Sequence, residues 1–236
     1  RGFIVKYSSV GKPIWAQAFQ SKSNSAALAV VATPDGGVAV SGYYSGQSWV
    51  LGTTTIPQSS ASTLIVAKFD SNGVPQWAKS AVSASANQGN GIAASADGSI
   101  TVSGNFLNTL TIGTKSVTRA VSSVFVAGFT STGTEKWLYA GGQGSGNSAF
   151  ASQSGIYIAG VAANPTTFGD VTWNSAGTYD PFLLKLDTSG NQLWVRFIKG
   201  EGYDYVNAVT VDKDDYVTLA GYIGGKTYFP NGRNAT

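Results

Sequence analysis

The chain has 236 residues with no His, Cys or Met, and its 15 basic and 12 acidic side chains leave a formal charge of +3. Without His and Cys there can be no Ser-His-Asp or Cys-His nucleophile, no HExxH centre, no thiolate metal site and no disulfide framework. Charged residues make up only 11%, no Lys/Arg cluster of the size nucleic acid requires is present, and no apolar run is long enough to span a membrane as a helix.

In chain order, Phe3 to Trp15 (FIVKYSSVGKPIW) predicts a strand, a turn through Gly11 and a strand opening on Trp15. AALAVVAT (26–33) predicts a strand of mostly small residues. TPDGGVAVSG (33–42) predicts a turn and an alternating strand that ends on Gly42, and LGTTTI (51–56) lies in a longer link. The series then returns. Leu64–Trp77 (LIVAKFDSNGVPQW) is followed by GIAASA (91–96), SADGSITVSG (95–104) and the link IGTKSVT (112–118). Val124–Trp137 (VFVAGFTSTGTEKW) leads to SAFASQ (148–153), SQSGIYIAG (152–160) and FGDVTW (168–173). Phe182–Trp194 (FLLKLDTSGNQLW) leads to NAVTVD (207–212), DKDDYVTLAG (212–221) and YFPNG (228–232).

Trp15, Trp77, Trp137 and Trp194 are spaced by 62, 60 and 57 residues. Such a period signals a repeat architecture, and four strands per period is the blade pattern of a propeller. The chain starts in mid-unit, so its head is the second half of a unit and its tail the first half. This predicts a single all-β domain over 1–236: a β-propeller of four four-stranded blades, closed by pairing of the N- and C-terminal strands, which would remove two exposed sheet edges. The four Trp are expected between blades. The long links are expected to project from one face, where loops on a rigid scaffold carry binding.

The recurring residues are Lys6, Lys68 and Lys185; Gly11, Gly73, Gly133 and Gly190; the four Trp; and Gly42, Gly104, Gly160 and Gly221. In this pattern the chain resembles the SBBP-type bacterial β-propeller repeats over essentially its whole length. It departs from them at Gly128, where Lys is expected, and in a shortened third copy. The resemblance implies secreted or surface-exposed proteins, often modules of larger ones, with no common catalytic residues. The absent Met agrees with a processed start or a piece of something longer.

The Gly-rich stretches ASANQGNG (84–91) and GGQGSGNS (141–148) lack the Lys-Ser/Thr of a phosphate loop and are expected as inter-blade loops. Asp35, Asp70, Asp97, Asp187 and Asp214 recur at turns, where a carboxylate caps backbone N–H groups. Glu201, Asp204, Asp212, Asp214 and Asp215 form the one local concentration of acids, and Ca²⁺ is the ion that such oxygen ligands would hold; otherwise no cofactor is expected.

Aromatic residues are the stronger lead. Tyr43, Tyr44 and Trp49 follow one Gly-ended strand, and Tyr222 and Tyr228 another; Trp173 and Tyr179 lie in the third link, and Tyr203 and Tyr205 between blades. Exposed aromatic faces stack on sugars or anchor protein partners. The sequence therefore points to a non-enzymatic binding or structural module outside the cell or on its surface. Its expected partner is a protein or glycan there, with a carbohydrate-binding propeller as the alternative. A further alternative is a self-assembling surface or filament subunit, a homo-oligomer.

Overall fold

The computed structural model of the chain describes residues 1–229 and 234–235. The described residues contain strands and no α-helix, so none is a helix long and apolar enough to cross a membrane. The chain opens with a hairpin of β1 (Phe3–Tyr7) and β2 (Pro13–Ala18). A first complete unit follows, in which β3 (Ser25–Ala32), β4 (Val38–Gly46), β7 (Ser59–Phe69) and β8 (Pro75–Ser80) form an antiparallel sheet in that order. Its link carries the small hairpin of β5 (Trp49–Leu51) and β6 (Thr54–Ile56).

The second unit is β9 (Asn87–Ala94), β10 (Ile100–Ile112), β11 (Lys115–Phe129) and the first half of β12 (Glu135–Ser152). The second half of β12 becomes the innermost strand of the third unit, with β13 (Gly155–Ala163), β16 (Tyr179–Leu186) and β17 (Gln192–Phe197). The third link holds the hairpin of β14 (Thr166–Phe168) and β15 (Val171–Trp173). Beyond it lie β18 (Lys199–Gly200), a hairpin of β19 (Tyr205–Val211) and β20 (Val217–Tyr222), then β21 (Thr227–Tyr228) and β22 (Asn234–Ala235). Of the predicted link YFPNG, residues 230–232 lie outside the described residues.

The closed propeller expected from the sequence is not formed. The strands make several separate sheets, none closed. Among the described residues β1 pairs only with β2 and β20 only with β19. Each terminal hairpin is held by its neighbour in the series instead. Ile4 packs with Val40, Ile65 and Ala67, while Val206 and Val209 pack with Tyr157 and Ala159. These local contacts bury both hairpins on one side without joining the ends.

The core is accordingly serial. One apolar cluster joins the first hairpin to unit one, a second joins units one and two, a third units two and three, and a fourth unit three and the last hairpin. Each unit thus contacts chiefly its neighbours, as in other repeat architectures.

Three internal features explain the repeat. The indole N–H groups of Trp15, Trp77 and Trp137 donate to the carbonyls of Ser71, Ser131 and Thr188, each in the turn of the next unit, at 2.9, 3.0 and 3.0 Å. In the same turns Gly73, Gly133 and Gly190 lie flat against those indoles, so that an added Cβ would meet the ring within 2.6, 2.7 and 2.4 Å. Finally, Gly42, Gly104, Gly160 and Gly221 stand opposite a bulge in the innermost strand. A Cβ there would meet a facing carbonyl oxygen within 1.9, 1.9, 2.0 and 1.8 Å.

The Gly-rich stretches expected as loops are largely strand. Residues 87–91 belong to β9, and 141–148 lie wholly within β12. Glycine is used there for close sheet-to-sheet approach, not for a turn: at Gly91 a Cβ would come within 2.8 Å of the Ser148 Cα.

Candidate functional site

The bulge on each innermost strand turns one side chain out of the alternation. That residue is Leu28, Asn90, Asn147 or Asn207 in the successive units. Asn90 Nδ2 donates to Ser145 Oγ at 2.9 Å, and Asn147 Nδ2 to the Val206 carbonyl at 2.9 Å. Each amide therefore links its strand to the innermost strand of the next unit. The recurrence of Asn at 90, 147 and 207 was the sequence signal for this set, and strand-pattern reasoning passed over it.

These strands wall a cleft of about 440 Å³. Gln88, Asn90 and Asn105 line one side, and Gln143 and Asn147 the floor between. Tyr179, Tyr203 and Tyr205 form the other side. The ring of Tyr203 lies 4.6 Å from that of Tyr179 and 4.6 Å from that of Tyr205. Hydrogen bonding of the Tyr203 hydroxyl to Tyr205, with desolvation second, pushes the Tyr203 phenol above its ordinary pKa, so it is neutral at physiological pH. Every side chain lining the cleft is uncharged. Primary amides offer paired donors and acceptors, and tyrosine offers an apolar face with a polar tip. This set has no nucleophile of raised reactivity and no acid–base pair.

Tyr179 is fixed by its neighbour Asp180, which is fully buried. The Asp180 carboxylate accepts from Asn164 Nδ2 at 2.6 Å, Trp173 Nε1 at 2.7 Å, the Gly200 N–H at 2.8 Å and the Ser175 hydroxyl. It thereby ties the β14–β15 hairpin and β18 to the start of β16. Trp173, a predicted binding residue, also stacks on Phe197 with ring centroids 4.8 Å apart and planes 8° from parallel.

The other predicted aromatics are dispersed. Tyr44 and Trp49 are buried and meet edge-on in the core of unit one. Tyr43 is half-buried on β4. Tyr222 is exposed on β20, where it pairs across from Tyr205. Tyr228 donates from its hydroxyl to Glu201 at 2.5 Å, with Lys199 and Lys226 over its ring.

The acidic residues do not converge. Asp204 is buried and accepts from the Gly224 N–H at 2.7 Å. Asp212 caps the N–H groups of Asp214 and Tyr216, both at 2.9 Å. Asp214 pairs with Lys213, and hydrogen bonds from Ser152 and Ser154 hold the Asp215 carboxyl below its usual range. Among the described residues no three acids are grouped to hold a metal ion. The position of Asp204 has a structural precedent in the repeat. Ser25 and Asn87 occupy the same place and accept backbone N–H groups, from Gly2 at 3.2 Å and Leu64 at 2.8 Å. At the corresponding donor position the last hairpin meets Pro181, which has no N–H.

The chain matches no known family model. No curated protein matches it either.

Proposed function

We propose that the chain is a non-catalytic binding module whose tyrosine- and amide-lined cleft takes a neutral glycan. One observation carries this reading: the cleft joins three clustered tyrosines to five amide side chains without a single charge. A polyhydroxylated, uncharged ligand matches such a surface, since its hydroxyls pair with amides and its apolar ring faces lie on tyrosine. An anionic or cationic ligand would leave its charge uncompensated there. The absence of His and Cys from the whole sequence supports a binding role over a catalytic one. The low charge and short polar side chains suit a setting outside the cell or on its surface.

A glycan array probed with the purified chain, followed by titration calorimetry on the best neutral ligand, tests this. Tyr205→Ala and Tyr203→Ala should each weaken binding about tenfold, a loss of about 1.4 kcal/mol. No neutral glycan binding at millimolar ligand, or binding indifferent to both substitutions, would overturn it.

A further inference from the structure

A second hollow, of about 420 Å³, adjoins the cleft at Gln143, walled by Arg119, Val121, Gly141, Pro165, Thr167 and Thr172. Gln143 lines both spaces, and the consecutive residues Ser122 and Ser123 of β11 line one each. On β12 Gln143 stands between Gly142 and Gly144, so no neighbouring side chain of that strand rises beside it. Its carbonyl accepts from Thr166, while its side-chain amide has no partner among the described residues.

A distortion of β11 shapes this second hollow. Ala120, Val121 and Ser122 of β11 oppose the single residue Leu107 of β10. A bulge of this kind re-aims side chains. The same bulge occurs in unit one, where Ser60, Ala61 and Ser62 oppose Ser45. In both, a hydroxyl closes the turn: Ser123 donates to the Val121 carbonyl at 2.9 Å, and Thr63 to the Ala61 carbonyl at 3.2 Å. The residue at the place of Arg119 in unit one is Ser59. The bulge therefore needs no cation, and the guanidinium is an addition in unit two.

Arg119 is exposed, and among the described residues no carboxylate pairs with it. Three carbonyls hold its fork: Nη2 donates to Ala140 at 3.1 Å, Nη1 to Thr118 at 3.1 Å and Nε to Gly141 at 3.5 Å. A guanidinium has five N–H donors, so two stay open on a side chain that is already positioned. The β14–β15 hairpin adds the hydroxyls of Thr167 and Thr172, which lie 3.1 Å apart. Trp173 of that hairpin donates to Asp180, which also fixes Tyr179, so the hollow and the cleft share one support.

We infer that the two spaces form one binding groove whose ligand is an acidic oligosaccharide. Its neutral sugars lie on the tyrosines and amides of the cleft, and one sugar bearing a carboxylate, a uronic acid, lies against Arg119. A carboxylate offers two acceptor oxygens in one plane, the shape that a guanidinium fork receives. The hydroxyls of Thr167 and Thr172 pair with those of the same sugar, and Val121 and Pro165 offer its ring an apolar face. A ligand that fills both spaces crosses Gln143, whose open amide then serves the linkage between sugars. This inference rests on the glycan reading for the cleft and adds to it the hollow and its charge.

The test uses oligosaccharides in matched pairs, one member neutral and the other carrying a uronic acid in place of one hexose, titrated by calorimetry. The acidic member should bind about tenfold tighter, the scale of one charge-assisted pair in a partly exposed site. That advantage should shrink as salt is raised and vanish in Arg119→Gln, while Tyr205→Ala weakens both members alike. Because Arg119→Gln also loses bonds to β12, a second measurement uses the parent alone. Methyl glucuronide should move the NMR signal of the Arg119 Nε–H, and methyl glucoside should not. Equal affinity within the pairs, with the dependence on Tyr205 intact, would overturn this inference and leave the cleft reading standing. An advantage that survives Arg119→Gln, a sulfate ester that serves as well as the carboxylate, or an Arg119 signal indifferent to glucuronide would also overturn it. No binding of either member at millimolar ligand would overturn both readings.

Discussion

The indole N–H of Trp77 donates to the Ser131 carbonyl at 3.0 Å, a bond that crosses from one repeat unit to the next. The ring also stacks on Phe129 with centroids 6.0 Å apart, and Gly133 closes over its face. A single side chain thus supplies the polar and the apolar parts of a unit-to-unit joint.

Trp77→Phe should keep most of the buried area and lose the bond, at a cost of about 1 kcal/mol. Trp77→Ala should cost about 3–5 kcal/mol, because the joint loses a large side chain and gains a cavity. Trp15 is half-buried at the first joint, where its unit is only a hairpin. Its Ala variant should cost less than that of Trp77, and urea unfolding of the three variants checks the order.

The glycines that recur within the second strand of each unit admit no side chain. In Gly104→Ala the new Cβ would fall 1.9 Å from the Gln88 carbonyl oxygen, so the bulge or the strand must shift. Overpacking of this kind costs about 1–3 kcal/mol. The variant should also disturb the placement of Asn90 two residues along. Thermal melting gives the first effect, and the chemical shift of the Asn90 side-chain amide gives the second.

That glycine shows how far the sequence could be read. Its recurrence, with those of Trp and of the turn glycines, fixed the strand order within each unit, because each residue answers to a contact inside the repeat or to the next one. The links that hold the β5–β6 and β14–β15 hairpins were legible as the recurring LGTTTI and FGDVTW stretches, though not as hairpins. Closure was not, because whether two half-units meet depends on the accumulated angle between sheets, which no local pattern encodes. The cleft was half legible. Tyr179, Tyr203 and Tyr205 were visible as aromatics, but their convergence with Gln88 and Gln143 comes from β12 passing from one unit into the next. The Gly-rich stretches misled for the same reason: composition typical of a loop here serves close strand packing.

The Lys68–Asp35 pair gives a pH signature. Lys68 is buried, and its ammonium donates to Asp35 Oδ2 at 2.6 Å. That bond, and next the Thr33 hydroxyl, hold the Asp35 carboxyl far below its ordinary range. A depressed folded pKa stabilises fully above the unfolded value, about 3.9, and the gain is lost as pH falls through the folded value. Asp35→Asn should therefore lower stability by about 1 kcal/mol at pH 7, a figure kept small because the carboxylate is half exposed. The deficit should shrink steadily below about pH 4. The difference between the melting curves of parent and variant should narrow from about pH 4 down to about pH 2; curves that stay parallel would mean the pair does not form.

Asp180 is the most demanding single position near the cleft. It is fully buried, and its oxygens receive four donors. Asp180→Asn preserves the shape but replaces one acceptor with an NH₂ group, so the Gly200 N–H or the Trp173 indole must face another donor. Hydrogen bonds to a charged group are worth about 1.5–3 kcal/mol each, and a buried donor left without a partner costs about as much. The expected loss is therefore about 3 kcal/mol, larger than that of any surface acid. Because Tyr179 is the adjacent residue and its carbonyl accepts the Asp204 N–H at 3.1 Å, the change should loosen the tyrosine side of the cleft as well. Amide exchange should quicken across 178–180 and 203–205 while β9 and β10 stay as protected as in the parent. If protection fell equally throughout, Asp180 would be holding the whole series together and would have no special tie to the cleft.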